Sequence, residues 1–371
     1  MLSADNRFRS VAVVALLLCA GCHFGISESG SPRPSDAMPS GGRCGDGVCA
    51  PPENAARCPA DCSEGSPDGT SPSGSVLYYG VMVHLEGWDD ARSREKFEQH
   101  AELVRRYAAL FESYGARLTL ESKEFTDGCI VWGDNVLREM EDRGHGIGVH
   151  ADIGGEPDMV CGTFTPQLRD RKQVLESLGV RVRHVSGIVS HCDWVAAAAD
   201  AGYAFASGTV AYALMSLPAE LRPDGFADCP SPAACHQAYP FDLAGRMHPW
   251  RVHSGADWIV PDPDGRLVIL PSGGGLPCAA EEAGADESYT RCDFNAADVD
   301  ALIAELAQVL ALVDPAEFNM YYISWSIGKQ LDDSLLEDFL RRVQPFVDGG
   351  RVEWKTLPEM YDLYLAWEAG R

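Results

Sequence analysis

From Val76 onward, short apolar runs alternate with stretches whose apolar residues recur every three or four positions. The runs predict strands at Val76–Val83, Ala116–Leu120, Ile147–Val149, Val185–Val189, Phe205–Ser207, Leu267–Leu270, Met320–Trp325 and Val352–Thr356. The periodic stretches predict helices at Ser93–Ser113, Gly133–Arg143, Thr165–Leu178, Trp194–Ala201, Asn295–Leu312, Leu331–Phe346 and Pro358–Trp367. In the first of these, Phe97, Val104, Tyr107 and Phe111 share one face. Gly144, Gly179 and Gly202 stand where helices should stop. Strand-helix alternation of this kind builds a parallel sheet covered on both faces. The alternation lapses between about 209 and 290, where cysteines and prolines accumulate, and that region is expected to be an insertion.

Before Val76 the pattern is of another kind. Arg7 and Arg9 precede the apolar run Val11–Leu18, which ends in Cys19-Ala20-Gly21-Cys22. A basic flank, a short apolar stretch and small residues make residues 1–21 a secretory signal. The run is short for a membrane span. Its end resembles a bacterial lipobox, which implies a lipid anchor at Cys22 and a place at the cell envelope. Residues 22–43, rich in Ser, Pro and Gly, read as a tether. Residues 44–62 hold Cys44, Cys49, Cys58 and Cys62, and 63–75 form a second linker. The pattern CGDGVC…EN…CPADC resembles a four-cysteine module of secreted bacterial proteins. A zinc site is the competing reading. Cysteine spacings of five, nine and four lack the CxxC knuckle, and an exported chain meets an oxidising medium, so a disulfide knot is expected.

Composition narrows the partners. The net charge of −25 repels phosphate backbones and excludes nucleic acid. An apolar fraction of 46 % supports a large core in 76–371. With Cys19 and Cys22 set aside, eleven of the 13 cysteines remain, too many by one to pair completely. Cys229 with Cys235 and Cys278 with Cys292 are neighbours able to pair, and Cys192 is the candidate for the odd thiol.

The candidate chemistry sits at strand ends. Three apolar runs each finish in His-x-acid: His84 with Glu86, His150 with Asp152, and His191 with Asp193. Residues two apart on a strand point to one face. In a parallel β/α barrel, functional side chains gather at the C-terminal strand ends. Imidazoles and carboxylates together suit zinc and related divalent ions, with a spare group as general base. Each pair taken singly could instead be a strand-end hydrogen bond. Glu86 and Asp193 would also serve a glycosidase that uses two acids across a cleft.

Gly144–His150, GHGIGVH, resembles the GHEIGNH motif of the polysaccharide deacetylase family. Ile188–Tyr203 and Val352–Tyr361 are similar to later segments of that family. The resemblance spans roughly Val76–Tyr364 and implies a distorted, incomplete parallel (β/α) barrel, here with a disulfide-containing insertion and a preceding disulfide knot. It implies a divalent metal, zinc first, held by Glu86, His150 and Asp152. Asp152 is included because the second histidine of the family HxxxH pair falls on Gly154. His84, His191 and Asp193 become the acid/base candidates. The segment that carries a late catalytic histidine in the family corresponds to Tyr322–Ser326 and has none. The implied activity is hydrolysis of an amide or ester on a polysaccharide or glycan by a monomeric envelope protein. The alternative is a non-catalytic glycan-binding lipoprotein on the same fold.

Other residues have quieter readings. His145 is expected to make a structural hydrogen bond. His248 and His253 could line the cleft from the insertion. Trp88, Trp194, Trp250, Trp258 and Trp325 are packing residues that could also stack on sugars. Ser272–Gly275 follows a strand without opening a helix, so it is no phosphate cradle.

Overall fold

The computed structural model describes residues 76–371 apart from 87–88, 157, 225, 227–228, 272, 276–293 and 328–330. The expected signal, tether, four-cysteine module and linker, the Cys278–Cys292 pair, Trp88 and Ser272 lie outside the described residues. Among the described residues no helix is long and apolar enough to cross a membrane.

In chain order the elements are β1 (Leu77–Leu85), α1 (Arg94–Ser113), β2 (Leu118–Ser122), α2 (Glu124–Trp132), α3 (Val136–Asp142), β3 (Gly146–His150), α4 (Phe164–Glu176), β4 (His184–Ser186), α5 (Trp194–Asp200) and β5 (Phe205–Ala206). Then come β6 (Trp250–Val252), β7 (Leu267–Ile269), β8 (Gly274–Gly275), α6 (Ala296–Ala311), β9 (Met320–Ser326), α7 (Asp333–Asp348), β10 (Val352–Trp354) and α8 (Leu357–Ala369). Local chemistry sets several bounds. Ser93 caps α1 by accepting from the Lys96 N–H. Asn295 with Asp298 and Thr356 with Glu359 form reciprocal capping boxes at α6 and α8. Gly133 ends α2 in the left-handed region.

One sheet carries the described strands in the order β6-β7-β5-β4-β3-β2-β1-β9-β8, with β10 beside the start of β1. All pairs are parallel except β6 with β7. The sheet does not close, as expected for an incomplete barrel. β6, antiparallel at one edge, was not predicted from the sequence. Neither was α2, whose residues have no clear amphipathic period. The Cys229–Cys235 disulfide lies in the insertion, as expected. Cys192, by contrast, is paired with Cys161 across 31 residues, which ties the loop after β3 to the loop after β4. A closure of that length stabilises by roughly 3–4 kcal/mol. Among the described cysteines the free thiol is Cys129, buried in α2, and burial pushes its pKa up to about 12.

Strand alternation sorts the core into two clusters. On β1, Leu77, Tyr79, Val81, Val83 and Leu85 pack toward the helices. Met82 faces the other way, with Phe205, Val268, Met320 and Tyr322, against Leu357, Met360 and Tyr364 of α8. Helix α8 therefore plugs one end of the sheet interior with apolar side chains. The same interior stripe continues up each strand, and there the residues turn polar.

Candidate metal centre

Following the interior parity, β1 leads from Met82 to His84 and on to Glu86. β2 leads from Thr119 to Glu121, β3 from Gly148 to His150, and β4 from His184 to Ser186. The parallel register places His84 opposite Glu121, Glu121 opposite Gly148, and His150 opposite Ser186. Two stacked polar layers result.

The lower layer is centred on Glu121, which is fully buried. His84 Nε2 lies 3.3 Å from its Oε2 and His184 Nε2 lies 3.1 Å from its Oε1. The Ser207 hydroxyl donates to Oε1 at 2.5 Å, and the Ser186 hydroxyl donates to Oε2. Burial opposes the charge of Glu121, but the imidazoles of His184 and His84 hold its carboxyl well below the usual range. Gly148 makes this layer possible. A Cβ at that position would stand 2.1 Å from His184 Nε2, so the His184 ring occupies the space where β3 has no side chain. Neither Nε2 of His84 nor Nε2 of His184 lines up for a hydrogen bond, despite the short approach to Glu121.

The upper layer is centred on His150. Its Nε2 lies 3.0 Å from Glu86 Oε1 and 3.6 Å from Asp152 Oδ1. Its Nδ1 lies 2.7 Å from the Ser186 hydroxyl. Because that hydroxyl donates to Glu121, it accepts from His150, which fixes Nδ1 as a donor and aims Nε2 at the two carboxylates. Burial works against a charged His150 ring, yet Glu86, then Asp152 and Glu121, raise its pKa to about 8. Glu86 is opposed by burial and favoured by His150, His84 and the Ser326 hydroxyl, which donates at 2.8 Å; its carboxyl is held low. His84 stacks on His150 with ring centres 4.0 Å apart.

Asp152 reaches Nε2 through an unusual backbone, with φ of 53°. Aspartate tolerates this left-handed region better than most residues. Gly187, across from it, lets the loop approach: a Cβ there would stand 2.7 Å from the Asp152 N. Lys123 donates to Asp152 Oδ2 at 2.8 Å. Burial opposes the Asp152 charge, while His150 and Lys123 lower its pKa. The position expected for a second histidine, Gly154, has φ of 100°, and the Phe164 ring would lie 2.6 Å from a Cβ there. An aromatic ring fills that space.

The sequence placed Glu86, His150, Asp152 and His84 at one centre, and the structure brings these four together. It places the third pair elsewhere. Asp193 caps α5, accepting from the Ala196 N–H at 2.9 Å, and also accepts from the Gly255 N–H at 2.6 Å and the Ser254 hydroxyl at 2.7 Å. Its carboxylate is engaged by backbone and hydroxyl donors, apart from the grouped ligand atoms of Glu86, His150 and Asp152. His191 is exposed beside the Cys161–Cys192 disulfide, 3.7 Å from Cys192 Sγ, with no carboxylate of the cluster in contact. The strand predicted over Val185–Val189 stops at Ser186, so this pair does not ride a strand end. Cys161, His191 and Cys192 come close enough to suggest a metal set, but the two sulfurs are bonded to each other and offer no thiolate. His248 donates from Nδ1 to the Phe318 carbonyl at 3.1 Å, away from the cluster, and His253 is exposed.

Sequence reasoning missed Glu121, His184, Ser186 and Ser207. The predicted β2 ended at Leu120, one residue short of the glutamate. The available signal was parity: Thr119 and Glu121 share a face. His236, in the insertion, was missed too. Desolvation, then the like charge of His84, lowers its pKa, although the residue keeps an exposed edge. Its backbone neighbourhood is pinned above the exit of β5 by the Ala211 N–H to Gln237 carbonyl bond and the Val210–Ala238 bridge.

Two sets of side chains offer ligand atoms that all lie within 4.8 Å of one another: Glu86, His150 and Asp152, and His84, Glu121 and His150. They share His150. Carboxylate oxygens and imidazole nitrogens are the donors that zinc and related ions take. The buried nitrogens of His84 and His184 that lack hydrogen bonds are a further sign of a site shaped for something besides the protein itself. The residues therefore fit a divalent cation.

No family model matches this sequence. No curated protein sequence gives a significant match. Solved structures do. Puue allantoinase is similar at a TM-score of 0.51 and 12 % identity, covering 82 % of this chain and 95 % of that one. A Mycobacterium smegmatis protein described as a polysaccharide deacetylase gives 0.48 and 13 %, covering 80 % and 93 %. A Pseudomonas aeruginosa PAO1 protein described in the same way gives 0.49 and 12 %, covering 76 % and 89 %. At these identities the likeness concerns the fold. The chain shares its fold with Puue allantoinase, an open, mostly parallel α/β barrel.

Proposed function

We propose that this protein is a metal-dependent hydrolase of amide or ester groups on a glycan. One observation carries the reading: His150 Nε2 faces two carboxylates, Glu86 and Asp152, while its Nδ1 is held by the Ser186–Glu121 chain. An imidazole oriented from behind by a hydrogen-bonded partner is the arrangement that tunes a metal ligand. Glu86, His150 and Asp152 would hold the ion. When bound, it would polarise an acyl carbonyl and acidify a water molecule. Glu121 and Ser186 position the His150 ring. His84 is the acid/base candidate, since its side chain is about one-fifth exposed while its Nε2 lies 3.3 Å from the Glu121 carboxylate. Lys123 neutralises part of the charge on Asp152. The glycan substrate class rests on the resemblance of Gly144–His150, and export with anchoring at Cys22 rests on the N-terminal pattern.

A second reading, a glycan-binding protein without catalysis, is favoured by the direct Glu86–His150 contact and by Phe164 filling the space beside Gly154. Zinc titration of the purified full chain separates the two. The hydrolase reading expects one tightly bound ion per chain, lost in His150→Ala and in Glu86→Gln. Absence of stoichiometric binding of zinc, manganese or cobalt would sink it.

A further inference from the structure

A cavity of about 500 Å³ lies among Tyr239, Trp250, Arg251, Tyr364, Trp367 and Arg371, with no residue in common with the metal cluster. Its size falls within the ~300–1,000 Å³ usual for small-ligand sites. It is built by the antiparallel strand β6, the segment before β9 and the end of α8.

The polar tips of two of the ring residues are already bonded, and the Arg371 guanidinium lies over the Trp367 ring, 4.5 Å from its centroid. Trp250 Nε1 already donates to the Trp258 carbonyl at 2.7 Å, and the Tyr364 hydroxyl to Glu368 at 3.1 Å. Both Trp250 and Trp367 are only half-buried. Two ion pairs line the cavity, and Asp262 adds a further carboxylate, which accepts from the Asp264 N–H at 2.9 Å. Arg251 is bound to Glu368 at 2.7 Å and Arg371 to Glu317 at 3.2 Å. An anionic ligand would have to compete with one of these pairs and would meet the Asp262 carboxylate, whereas a neutral ligand need not compete and can donate a hydroxyl to Asp262. The guanidinium groups still carry donors beyond those in the pairs, because each has five N–H bonds. His248 adds an acceptor: its Nδ1 donates to the Phe318 carbonyl, so in the neutral ring Nε2 accepts. The site thus combines apolar rings with donors and acceptors around them.

That combination matches a molecule with an apolar C–H face and a rim of hydroxyls. We infer that this cavity is a second binding site that takes a neutral sugar ring, with Trp250 as the stacking surface, Trp367 and the Arg371 guanidinium over it as a wall, and Arg251, Arg371 and His248 as hydrogen-bonding groups. The inference does not depend on metal binding at His150.

The test is titration of the full-length chain with cellobiose and, separately, with N,N′-diacetylchitobiose, followed by tryptophan fluorescence and calorimetry. Indole serves as the apolar control. Saturable sugar binding is expected, weakened at least ~10-fold in Trp367→Ala and about threefold in Arg371→Ala, and unchanged in His150→Gln. Arg371 is exposed, so its variant reports on the site even if Trp367→Ala folds poorly. Three results would overturn the inference: no saturable binding of either disaccharide, binding of indole but of neither sugar, or sugar binding lost in His150→Gln and retained in the Trp367 and Arg371 variants. A loss confined to His150→Gln would place the sugar at the metal cluster and leave the hydrolase reading standing.

Discussion

His145 and His150 sit five residues apart at opposite ends of one strand, both buried and both facing glutamate. Their chemistry diverges. Nδ1 of His145 accepts the Leu118 N–H at 2.9 Å, and its Nε2 meets Glu112 at 3.0 Å. Glu112 is already held by Arg143. A ring whose Nδ1 must accept cannot take a second proton without losing that bond. Burial lowers the His145 pKa, and Arg143 and Arg117 add to it. At His150 every partner favours a proton on nitrogen, and the pKa rises to about 8. The difference teaches that a carboxylate nearby does not make a histidine functional. What decides is whether the other nitrogen meets a fixed donor, as at His145, or a hydroxyl that relays to a carboxylate, as at His150.

The largest expected effect comes from the residue between them. Gly148→Ala drives a methyl into the His184 ring and should destabilise the protein by about 3 kcal/mol, read as a lower urea midpoint. A midpoint near that of the unaltered protein would show that His184 moves aside at little cost. His145→Ala leaves the buried Leu118 N–H without its acceptor and should cost about 2 kcal/mol of stability, with zinc affinity unaltered. Were zinc affinity to fall with it, the division of labour between the two histidines would be wrong.

Their pH dependences should run in opposite directions. The folded pKa of His150 lies above its unfolded value near 6.5. Its contribution in the metal-free protein is therefore present below pH ~6.5 and is lost as pH rises through about 8, a change of about 2 kcal/mol. The folded pKa of His145 lies below that value. Its neutral ring costs nothing at high pH, and stability falls as acid protonates the unfolded chain first. Urea midpoints across pH 5–9 should lose the alkaline slope in His150→Gln and part of the acid slope in His145→Ala. Equal slopes in both variants would contradict the comparison. The smallest effect belongs to Lys123→Met. It removes a cation that competes for Asp152, and zinc should bind a few-fold more tightly, about 0.5 kcal/mol. Weaker binding would mean that Lys123 holds Asp152 in place for the ion.

Much of this architecture was legible in the sequence because the strands are buried on both sides and the helices carry strong caps. β1, β3, β9, α1, α6 and α8 lie within a few residues of their predicted bounds. Glu86, His150 and Asp152 could be found because each follows an apolar run. Glu121 could not be placed as easily, since its importance comes from pairing with His84 on β1 and His184 on β4. That is register, which no local pattern carries. His191 and Asp193 misled for the converse reason. They repeat the local pattern, but the backbone has left the strand after Ser186, and Asp193 finds helix donors first. The disulfide from Cys192 to Cys161 was equally hidden, being a matter of two loops meeting in space.

The empty place at Gly148 has a consequence for how such a chain can drift. Because the His184 imidazole lies where a side chain of residue 148 would be, the two positions share one volume and cannot vary independently. A descendant that acquires any larger residue at 148 must first shrink residue 184, and Glu121 then loses one of its two imidazole neighbours. Among related chains, a glycine at 148, a histidine at 184 and a glutamate at 121 should be kept or abandoned as a set.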